Sequence, residues 1–251
     1  MLIHGDCLAE MDKLIRGRAE VSLVLTDPPY GTTNCKWDSI IPFDAMWERL
    51  KRLAPSRIPI LLFGAEPFSS ALRMSNVTWY KYDWIWHKDK STGFLNAKKQ
   101  PLRWVEMISV FYNGQPQYYP QYQPKKLINI RPATVKRHQV ETYNKMDGSS
   151  KREIPTDMGY PGETLMFNGC SSVKGQSNHP TEKPVALLEY LIRTYTKENQ
   201  LVLDFTMGSG STGVACANMN RRFVGIEKDE EYFNVARSRI ELAEKQQKLF
   251  V

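Results

Sequence analysis

Asp27-Pro28-Pro29-Tyr30 closes the apolar run Val21–Thr26, and its residue types could do chemistry on a flat ligand. Each proline lacks an N–H and holds φ at about −65°, so the backbone is stiff and its carbonyl oxygens stay free. A carboxylate, a carbonyl and an aromatic face therefore meet at the end of a β-prone run. In an open parallel sheet, that carboxyl end is where ligands bind. The trio suits a heteroaromatic ring carrying an exocyclic amine: the ring stacks on Tyr30 while its N–H groups bond Asp27 and the Pro28 carbonyl. The same four residues would equally serve as a proline-locked loop, so a second feature must decide.

That feature lies near the other end of the chain. Leu201-Val202-Leu203-Asp204-Phe205 reads as a strand, and Thr206–Gly213 as a glycine-rich turn into a helix at Val214–Met219. A further strand, Phe223–Ile226, ends in Glu227. Gly208, Gly210 and Gly213 satisfy GxGxxG inside a complete βαβ unit, which permits close approach of a ligand to the backbone. The helix start favours negative charge, and an acid after the second strand can hold ribose hydroxyls. The unit therefore points to an adenosine-containing ligand. A nicotinamide dinucleotide fits poorly. No second mononucleotide half follows the unit, and the Asp27–Tyr30 site offers nothing for hydride transfer.

The elements that must position these stretches follow from hydrophobic spacing. Leu8, Met11 and Leu14–Ile15 predict a short helix, and Phe43, Met46–Trp47, Leu50 and Leu53 a longer one. Ile58–Phe63 is almost wholly apolar, as in strands covered on both faces. Glu66–Met74 reads as helix, and Trp79–His87 and Met107–Tyr112 as strands of the same sheet. Lys88–Trp104 between them reads as a basic loop broken by Gly93 and Pro101. Pro184 suits a first helical turn, with Leu187–Leu188, Leu191–Ile192 and Tyr195 as the buried face. Glu230–Phe250 predicts a final helix. The pattern is α/β, with a central mostly parallel sheet.

From 113 to 178 the character changes. Prolines punctuate the stretch, basic residues are frequent, and Tyr118, Tyr119, Tyr122, Tyr143, Tyr160 and Phe167 argue against plain disorder. The expected organisation is a main domain of 1–112 and 179–251, with 113–178 inserted. Lys125, Lys126, Arg131, Lys136 and Arg137 in the insertion, with Lys88 and Arg103 outside it, suit phosphate contacts, and the aromatics suit base contacts.

Composition agrees. The 251-residue chain carries a net charge of +7 with a pI of about 9.1, which favours a polyanionic partner. Its four cysteines are scattered and its four histidines form no HExxH, so neither a disulfide framework nor a metal is expected. No apolar run approaches the roughly 18–20 residues of a membrane span, and no signal-peptide layout opens the chain. The expected location is the cytoplasm.

The ordered set Gly5-Asp6-Cys7, Asp27–Tyr30, His179–Pro184, Asp204–Gly213 and Ile226–Glu227 resembles the β-class S-adenosylmethionine-dependent DNA amino-methyltransferases. That family methylates adenine N6 or cytosine N4, and has a Rossmann-like methyltransferase fold with an inserted target-recognition region. The motif order is the same: DPPY first, target region next, cofactor motif last. Where the family commonly has Asp-Pro-Phe-x-Gly-Ser-Gly, Phe205-Thr206 takes the Pro-Phe places. The resemblance implies that Asp6, with Cys7 beside it, binds the cofactor's adenine amine and Glu227 its ribose. It places Asp204, Phe205, Gly208, Gly210, Ser211 and Thr212 in the loop around the methionine part, with Lys183 near its carboxylate. Asp27 and Pro28 would accept the target amine on a loop stiffened by Pro29, with Tyr30 stacked on the base. Asp in the first motif place leans toward adenine, with cytosine N4 the near alternative. The implied partner is double-stranded DNA, and the class includes homodimers. Cytosine-C5 chemistry drops out, because no cysteine here follows a proline. A catalytically silent DNA- or RNA-binding module is a further alternative, disfavoured by the intact Asp27–Tyr30 and Gly208–Gly213.

Overall fold

The computed structural model describes residues 1–32, 38–124, 157–169 and 182–248. Met1–Tyr119 and Glu163–Val251 form one compact unit, and Pro120–Gly162 forms a second.

The first unit is built on eight strands: β1 (Leu2–His4), β2 (Val21–Thr26), β3 (Ile60–Gly64), β4 (Tyr80–Thr92), β5 (Arg103–Phe111), β8 (Thr164–Met166), β9 (Leu201–Asp204) and β10 (Arg222–Glu227). Their order is β1-β10-β9-β2-β3-β5-β4-β8. Only β5 runs against its neighbours. The helices are α1 (Cys7–Arg16), α2 (Phe43–Leu53), α3 (Phe68–Met74), α4 (Val185–Tyr195), α5 (Ser211–Asn218) and α6 (Glu230–Lys248). None of them is long and apolar enough to cross a membrane. In the second unit, β6 (Gln123–Pro124) pairs antiparallel with β7 (Met158–Gly159), and Tyr122 meets Tyr160 edge-on.

The apolar runs are buried because both sheet faces are covered. Along β3, Ile60 and Leu62 pack with Met46, Leu50 and Phe68 on one side. Leu61 and Phe63 pack with Leu188, Leu191 and Ile192 on the other. Successive side chains point to opposite faces, so a strand covered on both must be apolar throughout. Each such buried Leu or Ile contributes roughly 1.5–3 kcal/mol.

Three segments differ from the sequence expectation. Residues 88–104 are not a loop: β4 continues to Thr92, β5 begins at Arg103, and one 3-10 turn (Phe94–Asn96) closes a hairpin arm. Most of the arm's side chains are exposed, and the large apolar ones among them, Phe94, Leu95 and Trp104, follow no period, so there was no strand pattern to read. Within 113–178, β8 is a sheet strand whose single buried residue, Leu165, is too little signal to recognise. The last turn of the glycine segment is already helical, α5 starting at Ser211 after Gly210 with φ +81°.

Candidate active site at the carboxyl edge of the sheet

β2 and β9 lie side by side and parallel. β2 is followed by β3 on one side and β9 by β10 on the other, so the loops leaving these two strands diverge and open a cleft. Hydroxyls bolt the two loops together. Thr26 Oγ1 donates to Asp204 Oδ1 (2.5 Å), Thr206 Oγ1 donates to the Asp27 carbonyl (3.1 Å), and the two hydroxyl oxygens are 2.7 Å apart. Asp204 is buried, which pushes its pKa up to about 6 against the opposing hydrogen bonds from Thr212, Thr26 and the Thr206 N–H.

The cleft holds about 620 Å³ and is lined by Asp6, Cys7, Asp27–Tyr30, Lys183, Phe205–Ser209, Ser211, Thr212, Ile226, Glu227 and Tyr232. Glu227 is fixed at its rim, accepting from the Gly208 N–H (2.9 Å) and the Asp229 N–H (2.8 Å). Burial raises its pKa. Asp6 caps α1, its Oδ1 accepting from the N–H groups of Leu8 and Ala9. Burial and the neighbouring Asp6 charge push the Cys7 thiol up to about 11, so it stays neutral.

The acceptor end is a buried charge cluster. The Lys183 ammonium donates to Asp27 Oδ2 and sits 3.0 Å from Glu106 Oε1, while Lys88 Nζ lies 2.9 Å from Glu106 Oε2. The Tyr30 hydroxyl donates to Asp27 Oδ1 (2.5 Å), with Glu106 Oε1 at 3.1 Å. Burial and the Glu106 charge raise the Asp27 pKa against the pull of Lys183. Burial raises Glu106 too, but the two lysine charges outweigh it and its pKa falls. Burial lowers Lys183, and the two carboxylates more than reverse that. Two acids and two ammonium groups thus balance in a nearly dry pocket, with Asp27 the acid more inclined to hold a proton.

A cleft carrying DPPY at one end and the glycine turn at the other is joined by a match over most of the chain. The N6/N4 DNA methylase family model covers residues 21–238. The chain belongs to this DNA methylase family. The type II methyltransferase M2.LlaDCHI of Lactococcus lactis subsp. cremoris is 44% identical, over 96% of this chain and 88% of that protein. Among solved structures, the M1.HpyAVI–SAM complex matches with a TM-score of 0.64 and 22% identity, over 96% and 98% of the two chains. The cytosine-N4-specific PvuII DNA methyltransferase matches with 0.65 and 16%, over 95% and 85%. At these identities the two solved structures show a shared fold.

On this methylase fold, Asp6, Cys7, Asp27–Tyr30, Lys183, Phe205, Gly208, Ser211, Thr212 and Glu227 all face one cleft. Asp204 and Gly210 do not line it. Asp204 sits behind the loop as its anchor. Gly210 lies beneath α6, where an added Cβ would fall 2.8 Å from Ala236 Cβ and 2.9 Å from Ala236 Cα. Gly210→Ala should therefore cost about 3 kcal/mol through clash and a strained positive φ, measured as a drop in thermal unfolding. A variant of wild-type stability would show that α6 gives way to the added Cβ at little cost.

Lys183, expected near the cofactor's carboxylate, lines the cleft, and its ammonium bridges Asp27 and Glu106. Lys88 was expected on phosphate; its ammonium is held by Glu106 over the Trp86 ring, because both lie at the root of the arm. Tyr30 stacks on Phe68 with ring centroids 4.9 Å apart. Arg103 is exposed on the arm. Lys125, Lys126, Arg131, Lys136 and Arg137 lie outside the described residues, as do His179–Thr181.

Sequence reasoning missed Glu106, Glu182 and Arg239. The one acid inside the mostly apolar Val105–Phe111 was the available signal for Glu106. Glu182 accepts from Arg239 and from Ser211 Oγ (3.0 Å), and Arg239 donates to the Ser209 carbonyl (2.7 Å). This bridge ties the glycine turn to the segment that carries Lys183.

Proposed function

We propose that this DNA methylase transfers a methyl group from S-adenosylmethionine to the N6 amine of an adenine turned out of double-stranded DNA at a specific site. One observation carries the reading. The Asp27–Tyr30 loop and the Gly208–Thr212 turn face one cleft and are tied together by the Thr206–Asp27 hydrogen bond.

The cleft fits the methyl donor. Glu227 offers a fixed carboxylate for ribose hydroxyls, Asp6 a carboxylate for the adenine amine, and the α5 N-terminus a positive end for the amino-acid carboxylate. When bound, S-adenosylmethionine supplies an electrophilic methyl on a sulfonium. Lys183, within the same cleft, adds a positive charge that the cofactor's carboxylate can meet.

At the other end, the residues hold an amine. An adenine amino nitrogen is a poor nucleophile because its lone pair is delocalised into the ring. Asp27 and the Pro28 carbonyl can accept its two N–H bonds, drawing it toward tetrahedral geometry and steadying the positive charge that develops. The amine lone pair forms the new N–C bond, the sulfur keeps the electrons of the broken one, and the surplus amine proton leaves by way of Asp27. Its raised pKa suits that task. Holding the partners in line supplies much of the acceleration. Because a paired amine is out of reach inside a duplex, the base must turn out first.

The stretch 113–178 is read as the target-recognition insertion, on its basic and aromatic content and the separate compactness of Pro120–Gly162. Cytosine N4 is the second reading, favoured by the shared fold of the cytosine-N4-specific PvuII enzyme. The two separate in one measurement. Unmethylated DNA is incubated with protein and S-adenosylmethionine, digested to nucleosides and resolved by mass. N6-methyldeoxyadenosine is expected, N4-methyldeoxycytidine would establish the second reading, and neither product would overturn both.

A further inference from the structure

The tip of the β4–β5 arm is accounted for neither by the core nor by the cleft. Both β4 and β3 run antiparallel to β5, so β4 leaves the sheet at the same carboxyl edge as Asp27. Its partner strand continues past Glu106, the residue that touches Lys183 and Tyr30, and from there to Arg103 advances roughly 10 Å further. The turn beyond stands above the mouth of the site. His87 stacked on Trp104 braces the arm below the tip (ring centroids 5.8 Å apart).

Every residue from 92 to 101 is exposed. Leu95 is 99% exposed and Phe94, its neighbour, 81%. Single exposed leucines are ordinary, but an adjacent Phe–Leu pair at the end of a protruding ribbon calls for a partner. Cations surround it: Lys90, Lys98, Lys99 and Arg103, with no acid between 90 and 105. Asp89, the nearest acid before that stretch, accepts from the Gly169 N–H (2.6 Å). A second copy of this chain, itself at +7, would meet the arm with like charge. A polyanion with an apolar interior fits better, and a two-stranded ribbon is narrow enough to enter a DNA groove.

We propose that Phe94 and Leu95 wedge into the base stack of a DNA duplex beside the target, filling the gap left when the base turns toward Asp27. Lys98, Lys99 and Arg103 then lie on the flanking phosphates. Apolar side chains inserted between base steps are a general means of unstacking DNA. This inference rests on the reading of duplex DNA as substrate, and adds the group that opens it.

The test uses the full chain. Sequencing of DNA methylated by the wild type locates the target, and two synthetic duplexes are built on it. One has the target base normally paired; the other has it opposite an abasic position. Replacing both residues (F94A together with L95A) is expected to slow methylation of the paired duplex by about tenfold or more, and of the unpaired duplex by no more than about twofold, since an unpaired base needs little help to leave the stack. F94W with L95M should restore the paired rate. Titration with S-adenosylmethionine and thermal unfolding should match wild type, because neither side chain packs against the fold. Equal loss on both duplexes, or no loss on either, overturns the wedge. Loss on both with a halved mass in sedimentation assigns the tip to a second copy instead. If the wild type methylates duplex DNA and the two duplexes still respond alike, only the wedge fails. A wild type that methylates no DNA overturns both readings.

Discussion

Asp27→Ala is expected to lower turnover on DNA by about 10²–10³-fold or more, while S-adenosylmethionine binds within about twofold of wild type. The structure separates these effects. Lys183 loses one carboxylate but keeps Glu106, 3.0 Å away, and the Tyr30 hydroxyl has the same Glu106 oxygen at 3.1 Å. No buried ammonium is stranded, so the variant should fold. What disappears is the acceptor for the target amine and the destination of its surplus proton. The Gly208 and Glu227 contacts at the far end of the cleft do not involve Asp27. Calorimetric titration with the methyl donor and single-turnover methylation of DNA check the two halves. Turnover within tenfold of wild type would remove Asp27 from the reaction.

Changes at Glu106 should have the opposite balance, with stability suffering first. Glu106→Leu leaves Lys183 leaning on Asp27 alone and takes from Lys88 the carboxylate that holds it over Trp86. Removing one partner from a buried ionic cluster costs about 3–5 kcal/mol, which in a chain of this size lowers the melting temperature by roughly 10 °C. Glu106→Gln keeps the shape and removes only the charge, and so reads out chemistry. The Glu106 charge helps burial to raise the Asp27 pKa, so its loss lowers that pKa. The acid limb of the turnover profile should therefore move to lower pH. Lys183, now attracted by Asp27 alone, should compete harder with the incoming amine and raise KM for DNA. The Glu106 pKa is itself held below its ordinary 4.5, so its contribution to stability is present above that value and lost as pH falls through the depressed one. Glu106→Gln should lack that loss. An unshifted acid limb would show that Glu106 is only part of the framework.

Much of the fold could be read from hydrophobic pattern, for reasons visible in single elements. β2 and β3 are covered on both faces and must be apolar throughout. α2 and α4 each bury one stripe, so the spacing located α2 to the residue and the start of α4 to within one. α4 ends at Tyr195, short of the Asn199–Gln200 expected to close it. The arm and β8 escaped notice because both are held chiefly by main-chain pairing, which imposes little on side-chain type. The basic character of the arm was evident, but not that an exposed Phe94–Leu95 pair would crown it.

By itself the sequence determined the chemical vocabulary: stiff acceptor loop, glycine turn, terminal acid, basic insertion and their order along the chain. Those features are local, set by prolines that fix φ and glycines that free it. Only the tertiary structure decided who meets whom. Thr26 and Asp204 are 178 residues apart and share a hydrogen bond because β2 and β9 are neighbours at the point where the sheet's crossovers diverge. The same long-range packing drew Lys88 to the site and set Lys183 between Asp27 and Glu106, because ammonium groups largely removed from water must find carboxylates.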